Sequence, residues 1–486
     1  MIMAQERAFL RSQQQLQALQ ALVEQAAADE LRIDQVEREL FSRLLALGHT
    51  LLAAFVAAQG DGNAGPKLET PDGRTLRRLK GQHVRRYLSI FGELLLRRCV
   101  YAEREKQQIE RAPLDERLGL PAGECSYVLE DWLERLCVKE SFHEAVTDLR
   151  EWLGVAPSER AAEQMNQRMA EHAEAFGLAQ AAPPPDEEAE ILVTTADGKG
   201  VPMRRPLQER LRRGPRRVKG EKANKKQMAY VGAVYTIDRF RRTADDVIDE
   251  LARKERAADR PVPQHKQVWA EMTRVLEGES CSGRQRLFVE MAIAADQRNP
   301  TRAKTLVCLM DGEAALWDVA GEWLPRAVGI LDLFHVLERL WQVAHVLHRE
   351  GSHEAAQFVA RHLRLLLEGK VGYVIGHFKR LRDEHDLRGS RRRVVSAAIG
   401  YYENNRQHMR YDQYLAAGYP IGSGVAEGAC RHVVKDRLEG TGMRWTVNGA
   451  QAMLHLRAIY LGRQWNAFVN YRIETEQATL SRRSAA

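Results

Sequence analysis

Residues 305–335 read TLVCLMDGEAALWDVAGEWLPRAVGILDLFH, and the order of elements within them sets the fold class. An apolar run over 305–310 predicts a strand that stops at Asp311. Residues 313–323 have helical spacing, and a second apolar run over 327–331 stops at Asp332. Strand, helix and strand in close succession predict a β-α-β unit. Both aspartates would then lie at the carboxyl ends of strands, where open α/β sheets bind their ligands.

Upstream, residues 191–196 (ILVTTA) form another β-rich run ending at Asp197, and residues 228–237 form a second strand region. Helices are predicted around 264–276 and 284–297. Antiparallel strands followed by β-α-β predict a mixed α/β (α+β) fold, a sheet covered by helices, with its first part over 191–335. Residues 336–419 are charged and helical with little strand signal, which reads as an all-helical insertion. The domain resumes over 420–475. There, residues 420–445 read PIGSGVAEGACRHVVKDRLEGTGMRW, a glycine-rich turn leading into a helix. Ser423 can cap that helix, and Cys430, Val433, Val434 and Leu438 give it a buried stripe. Glu427 falls in its first turns, and Arg431, Lys435, Arg437 and Arg444 supply positive charge. Alone, this stretch reads first as an ordinary capped amphipathic helix whose glutamate favours the positive helix end. A final helix is predicted over 447–473, with a loose tail from 477.

The amino-terminal part has a different texture. Residues 1–58 carry an apolar helical stripe, as a coiled-coil arm or two packed helices, and are a candidate for oligomerisation. Residues 59–125 contain a predicted hairpin with strands over 84–90 and 94–101. Three helices with short turns over 126–180 fit a helix-turn-helix, or a generic three-helix packing unit. Residues 181–190 (AAPPPDEEAE) read as a linker. At 486 residues the chain needs more than one domain. Its net charge of +7 and pI near 9.0 point to a polyanionic partner only where the charge is clustered. It is clustered over 206–226, PLQERLRRGPRRVKGEKANKK, with Arg212, Arg213, Arg216, Arg217 and Lys219 at its centre. The six cysteines form no C-x-x-C pair and read as reduced thiols. No run is apolar enough to predict a membrane span and the start is polar, so a cytoplasmic location is expected.

Asp197, Asp311 and Asp332 each follow a predicted strand, with Glu427 beyond. One such Asp-Gly is usually a turn; the recurrence at strand ends points to a metal site. Two divalent ions such as Mg2+ or Mn2+ need hard oxygen ligands and keep part of their water, so a few carboxylates suffice. His335, three residues after Asp332, reads either as a core histidine or as a residue beside the site.

In DGKGVPMR at Asp197, LMDGEAALW at Asp311, LDLFHVLERLW at Asp332 and His335, and the 420–445 stretch at Glu427, the chain resembles ISKra-type bacterial insertion-sequence transposases, and more distantly Mutator-like transposases. The likeness extends to PLDERLGL (113–120) and ESFHEAVTDL (140–149). It implies a ribonuclease H-like catalytic domain with a helical insertion before its last acidic helix. Asp197, Asp311 and Glu427 would be the catalytic, metal-binding triad, and Asp332 with His335 a supporting D-x-x-H pair. Relatives often carry a cysteine-rich zinc element before the hairpin; GDGNAGPKLETPDG (60–73) has no cysteine. The implied activity is metal-dependent cleavage at element ends and transfer of the 3′ hydroxyl to target DNA, by a homo-oligomer on double-stranded DNA in the nucleoid. The other readings are a transposase-derived DNA-binding protein that no longer cuts, and a structure-selective nuclease on the same fold.

Overall fold

The computed structural model describes residues 2–70, 72–104, 108–204, 226–253, 260–384 and 386–485. The chain divides into two compact units, residues 177–463 and residues 1–176 with 464–486.

The larger unit is built on a five-stranded sheet. Numbering strands along the whole chain, those of the smaller unit are β1 (Lys67–Glu69), β2 (Thr75–Arg78), β3 (His83–Ser89), β4 (Gly92–Arg98) and β5 (Tyr101–Ala102). Those of the larger unit are β6 (Ile191–Pro202), β7 (Lys226–Ile237), β8 (Gln264–Met272), β9 (Arg274–Leu276), β10 (Glu279–Cys281), β11 (Thr305–Met310) and β12 (Val328–Leu331). The sheet order is β12-β11-β6-β7-β8, with β6, β7 and β8 antiparallel in sequence and β11 parallel to both β6 and β12.

Side chains alternate across this sheet as the pleat requires. Ile191, Val193, Val307, Leu309 and Ile330 enter one core, shared with the helices Leu333–Leu347, His353–Leu367, Val371–Glu384 and Gly389–Asn405. Leu192, Ala196, Cys308 and Met310 enter the other, against Leu287, Phe288 and Met291 of the helix Gly283–Arg298 and Leu316 of the helix Ala314–Trp323. The helical insertion therefore supplies most of one hydrophobic face of the sheet.

Three expectations for this unit are corrected. Residues 264–276 are not helical: they form β8 and β9, because Ala270 and Met272 are buried in a strand laddered to β7. Tertiary pairing outweighs local helical spacing there. Asp197 does not follow a short strand. It lies inside β6, opposite Val231, because pairing with β7 continues to Pro202. The predicted final helix is two helices, Val447–Leu461 and Trp465–Ala485, and the second belongs to the smaller unit and carries the tail expected to be loose.

In the smaller unit the first segment is two packed helices, Ile2–Ala28 and Ile33–Ala58, with Arg43 donating to the Ala18 carbonyl. The second is long and apolar enough to cross a membrane by length and composition alone, although the sequence reading expects no such run. Its Gly48 is required by close packing: a Cβ there would lie 2.4 Å from the Phe91 ring at the hairpin turn. The hairpin is β3-β4, and β1, β2 and β5 form a separate small sheet. Three helices follow, Tyr127–Cys137, Phe142–Leu153 and Glu159–Ala170, each started by a serine whose hydroxyl accepts a backbone N–H. The exposed positions of the third carry Glu159, Arg160, Glu163, Gln164 and Gln167, one cation against two carboxylates. Trp465 and Arg472 of the last helix bond to Asp131 and Glu130 of the first of these three.

Leu309, fully buried in β11, which is paired on both sides, tests the main core. Leu309→Ala is expected to cost about 2–5 kcal/mol through lost burial and a residual cavity, read as a lower urea midpoint at unchanged slope.

Candidate metal centre

The strand register brings the aspartates together. Met310 lies opposite both Ala196 and Leu331, so Asp197, Asp311 and Asp332 follow one another across three adjacent parallel strands. The Asp332 N–H donates to the Met310 carbonyl at 2.8 Å, which fixes that alignment one residue beyond the paired strands.

The three differ in surroundings. Asp197 is half-buried, and its Oδ1 accepts the Gly198 N–H at 2.6 Å. Asp311 accepts the Glu313 N–H on Oδ1 at 3.0 Å, while its carbonyl accepts the Trp317 indole N–H at 2.7 Å. Burial raises the Asp311 pKa; the Glu313 N–H and His335 oppose the rise, and Asp197 and Asp332 add to it. Asp332 is fully buried. Its Oδ1 accepts the Phe334 N–H at 3.1 Å and the Ser423 N–H at 3.2 Å. Its Oδ2 accepts the Ser423 hydroxyl at 2.5 Å and the His335 Nδ1–H at 2.9 Å. The last of these shows the D-x-x-H residues in direct contact.

Glu427 lies in the short helix Gly424–Ala429, and its side chain is outside the described residues. Cys430, one turn further on, locates that segment. Its segment packs against β6, and burial together with the Asp197 carboxylate holds its thiol well above the usual thiol range. The predicted stripe Cys430, Val433, Val434 and Leu438 is buried.

The basic residues divide. Arg431 and Lys435 are exposed, and so is Arg444. Arg437, read as part of the basic surface, is only 2% exposed and is corrected to an interior residue: its guanidinium lies 5.0 Å from the centre of the Trp445 ring. Trp445 is itself buried and donates to the Leu438 carbonyl at 3.1 Å, so it packs and is closed to a base. Arg212, Arg213, Arg216, Arg217 and Lys219 lie outside the described residues. The flanks of their loop do not: the Arg204 N–H donates to the Trp445 carbonyl at 2.7 Å, and Lys226 pairs with Glu439.

Residues with no sequence signal complete the surroundings. Tyr401, from the helix Gly389–Asn405, covers the turn after Asp311 so closely that a Cβ on Gly312 would lie 2.3 Å from its ring. Arg339 stands over the same ring at 5.2 Å. Arg457 reaches the wide turn after Glu427, described below. Compared with known protein families and curated proteins, the chain matches no family model and no curated protein.

The Asp311 pKa is raised on folding, so its ionisation opposes folding: the penalty is absent below the unfolded pKa and full above the folded one. Asp311→Asn is expected to melt higher than the parent near neutral pH without added cation. That advantage should shrink to nothing as pH falls through the carboxylate range. A pH series of thermal unfolding curves reads this, and added Mn2+ should raise the melting temperature of the parent more than that of Asp311→Asn.

Proposed function

We propose that the chain is a DNA transposase of the ISKra-type insertion-sequence group, with a ribonuclease H-like catalytic domain over residues 191–463 interrupted by the helical insertion at 336–419. The observation that carries this reading is the alignment of Asp197 and Asp311 on adjacent parallel strands, with the Glu427 helix brought against Asp197 through Cys430. Three antiparallel strands followed by two strands parallel to the first are also the order that such a domain requires.

Asp197, Asp311 and Glu427 would hold two Mg2+ or Mn2+ ions. The donor set fits: hard carboxylate oxygens, and an Asp311 whose raised pKa marks negative charge that a cation relieves. Bound there, the ions would activate the attacking water or hydroxyl and stabilise the leaving oxygen of a phosphodiester. Asp332 and His335 support the centre without serving as ligands. Arg431, Lys435 and Arg444, with the cations of the 206–226 loop, face the phosphates of element ends and target DNA. The amino-terminal unit recognises the ends; its helix Glu159–Ala170 has too little positive charge to do so electrostatically, so sequence contacts and the loop share that role. Exposed Leu16, Leu44, Leu51 and Phe55 of the first two helices offer the surface for a homo-oligomer in the nucleoid-bearing cytoplasm.

A strand-transfer assay with end-containing DNA and Mg2+ tests the reading. Joined product is expected; cleavage alone would favour the nuclease, and binding alone the non-cutting regulator. Asp311→Asn should lower joining by at least about 100-fold while leaving end binding intact. If Asp311→Asn cuts normally and Asp332→Asn does not, the second ligand is misassigned. Arg431→Ala with Lys435→Ala should weaken binding to all sequences alike and reduce the salt slope of affinity by about 2.

A further inference from the structure

The segment carrying Glu427 is held on both sides by groups that touch no reacting atom. On the approach, residues 421–423 are fastened to the end of β12. The Leu333 N–H donates to the Ile421 carbonyl at 2.9 Å, and Ser423 gives both its N–H and its hydroxyl to Asp332. Gly422 has no side chain at the point where a Cβ would lie 2.8 Å from the Phe334 ring. Asp332 accepts four hydrogen bonds, two on each oxygen, in a fully buried position. With its acceptor sites engaged by the protein, this carboxylate ties strand to turn.

On the far side the helix widens. Residues Cys430–Lys435 form a π turn, a geometry that collects at functional sites because it shifts the phase of one part of a helix against the other. Arg457, 5% exposed on the helix Val447–Leu461, donates Nε–H to the Val433 carbonyl at 2.8 Å and Nη2–H to the His432 carbonyl. A buried guanidinium is thus spent on two main-chain acceptors of the wide turn. An α-helix advances about 100° per residue, so loss of one residue of phase would swing residues 424–429 by roughly that angle about the helix axis.

We infer that Ser423 and Arg457 are positioning residues for Glu427: Ser423, through Asp332, fixes where the glutamate segment begins, and Arg457 keeps the wide turn that sets its rotation. What Glu427 does there rests on the transposase reading; how its segment is held rests on the geometry.

Hydrogen exchange on the full-length protein, without DNA or metal, tests the holding separately from the chemistry. In Ser423→Ala and Arg457→Met, exchange over 421–438 should quicken by at least about tenfold, while 305–310 in β11, paired on both sides, keeps its protection. Ser423→Thr should restore protection. Arg457→Lys, which keeps the charge but cannot span both carbonyls, should not. In strand transfer, Ser423→Ala and Arg457→Met should lower the turnover rate at least about tenfold with the KM for end DNA unchanged. Unchanged exchange over 421–438 in both variants overturns the inference, as does fast exchange with parental joining rates. Arg457→Gln replaces Arg457→Met if residues 305–310 also lose protection. If the parent protein joins nothing while the exchange pattern appears as expected, the holding stands and the transposase reading fails.

Discussion

The parallel ladder between β6, β11 and β12 is the constraint on which the rest depends. With Met310 opposite Ala196 and Leu331, Asp197 becomes a neighbour of Asp311, more than a hundred residues later in the sequence, and Asp311 of Asp332. A slip of one residue on any strand would exchange its two faces, removing Leu309 from one core and Met310 from the other. Two apolar cores on opposite sides of the sheet therefore enforce the alignment of the acidic edge.

That alignment has an electrostatic cost. Asp311 is half-buried beside Asp197 and Asp332, and its pKa is raised first by burial and then by those two carboxylates. The protein relieves only part of this. Asp332 is compensated by four hydrogen bonds, one of them from His335, whereas among the described residues Asp311 accepts one N–H, that of Glu313, on one oxygen. The contrast separates a carboxylate built into the frame from one left available to a cation, and it matches the division of labour proposed for them.

The helical insertion is part of the same frame. Its helices fill one face of the sheet, and Tyr401 covers the turn at Gly312. The glutamate segment that follows the insertion returns to the sheet at Ser423 and Cys430, on Asp332 and Asp197. Long sequence separation between the second and third proposed ligands is thus bridged by packing that also supports the first two.

Much of this was legible in local pattern. The strands over 305–310 and 327–331, the helices of the insertion and the buried stripe of the Glu427 segment follow from apolar spacing, because burial is periodic along a strand or helix. Interactions between distant residues carry no such period. Nothing local distinguishes Arg437, buried on Trp445, from exposed Arg431 six residues earlier, nor reveals that Arg457 braces a π turn. The strand over 264–272 is hidden for the same reason, since it is defined by its partner β7. The sequence by itself determined the strand-helix-strand order over 305–331, the helical insertion after it and the chemical identity of the acidic groups, since these are written in residue type and spacing. Only the tertiary structure decided which carboxylate is saturated, which arginine is interior and what holds the glutamate helix, because each depends on hydrogen bonds and burial between segments that meet only after folding.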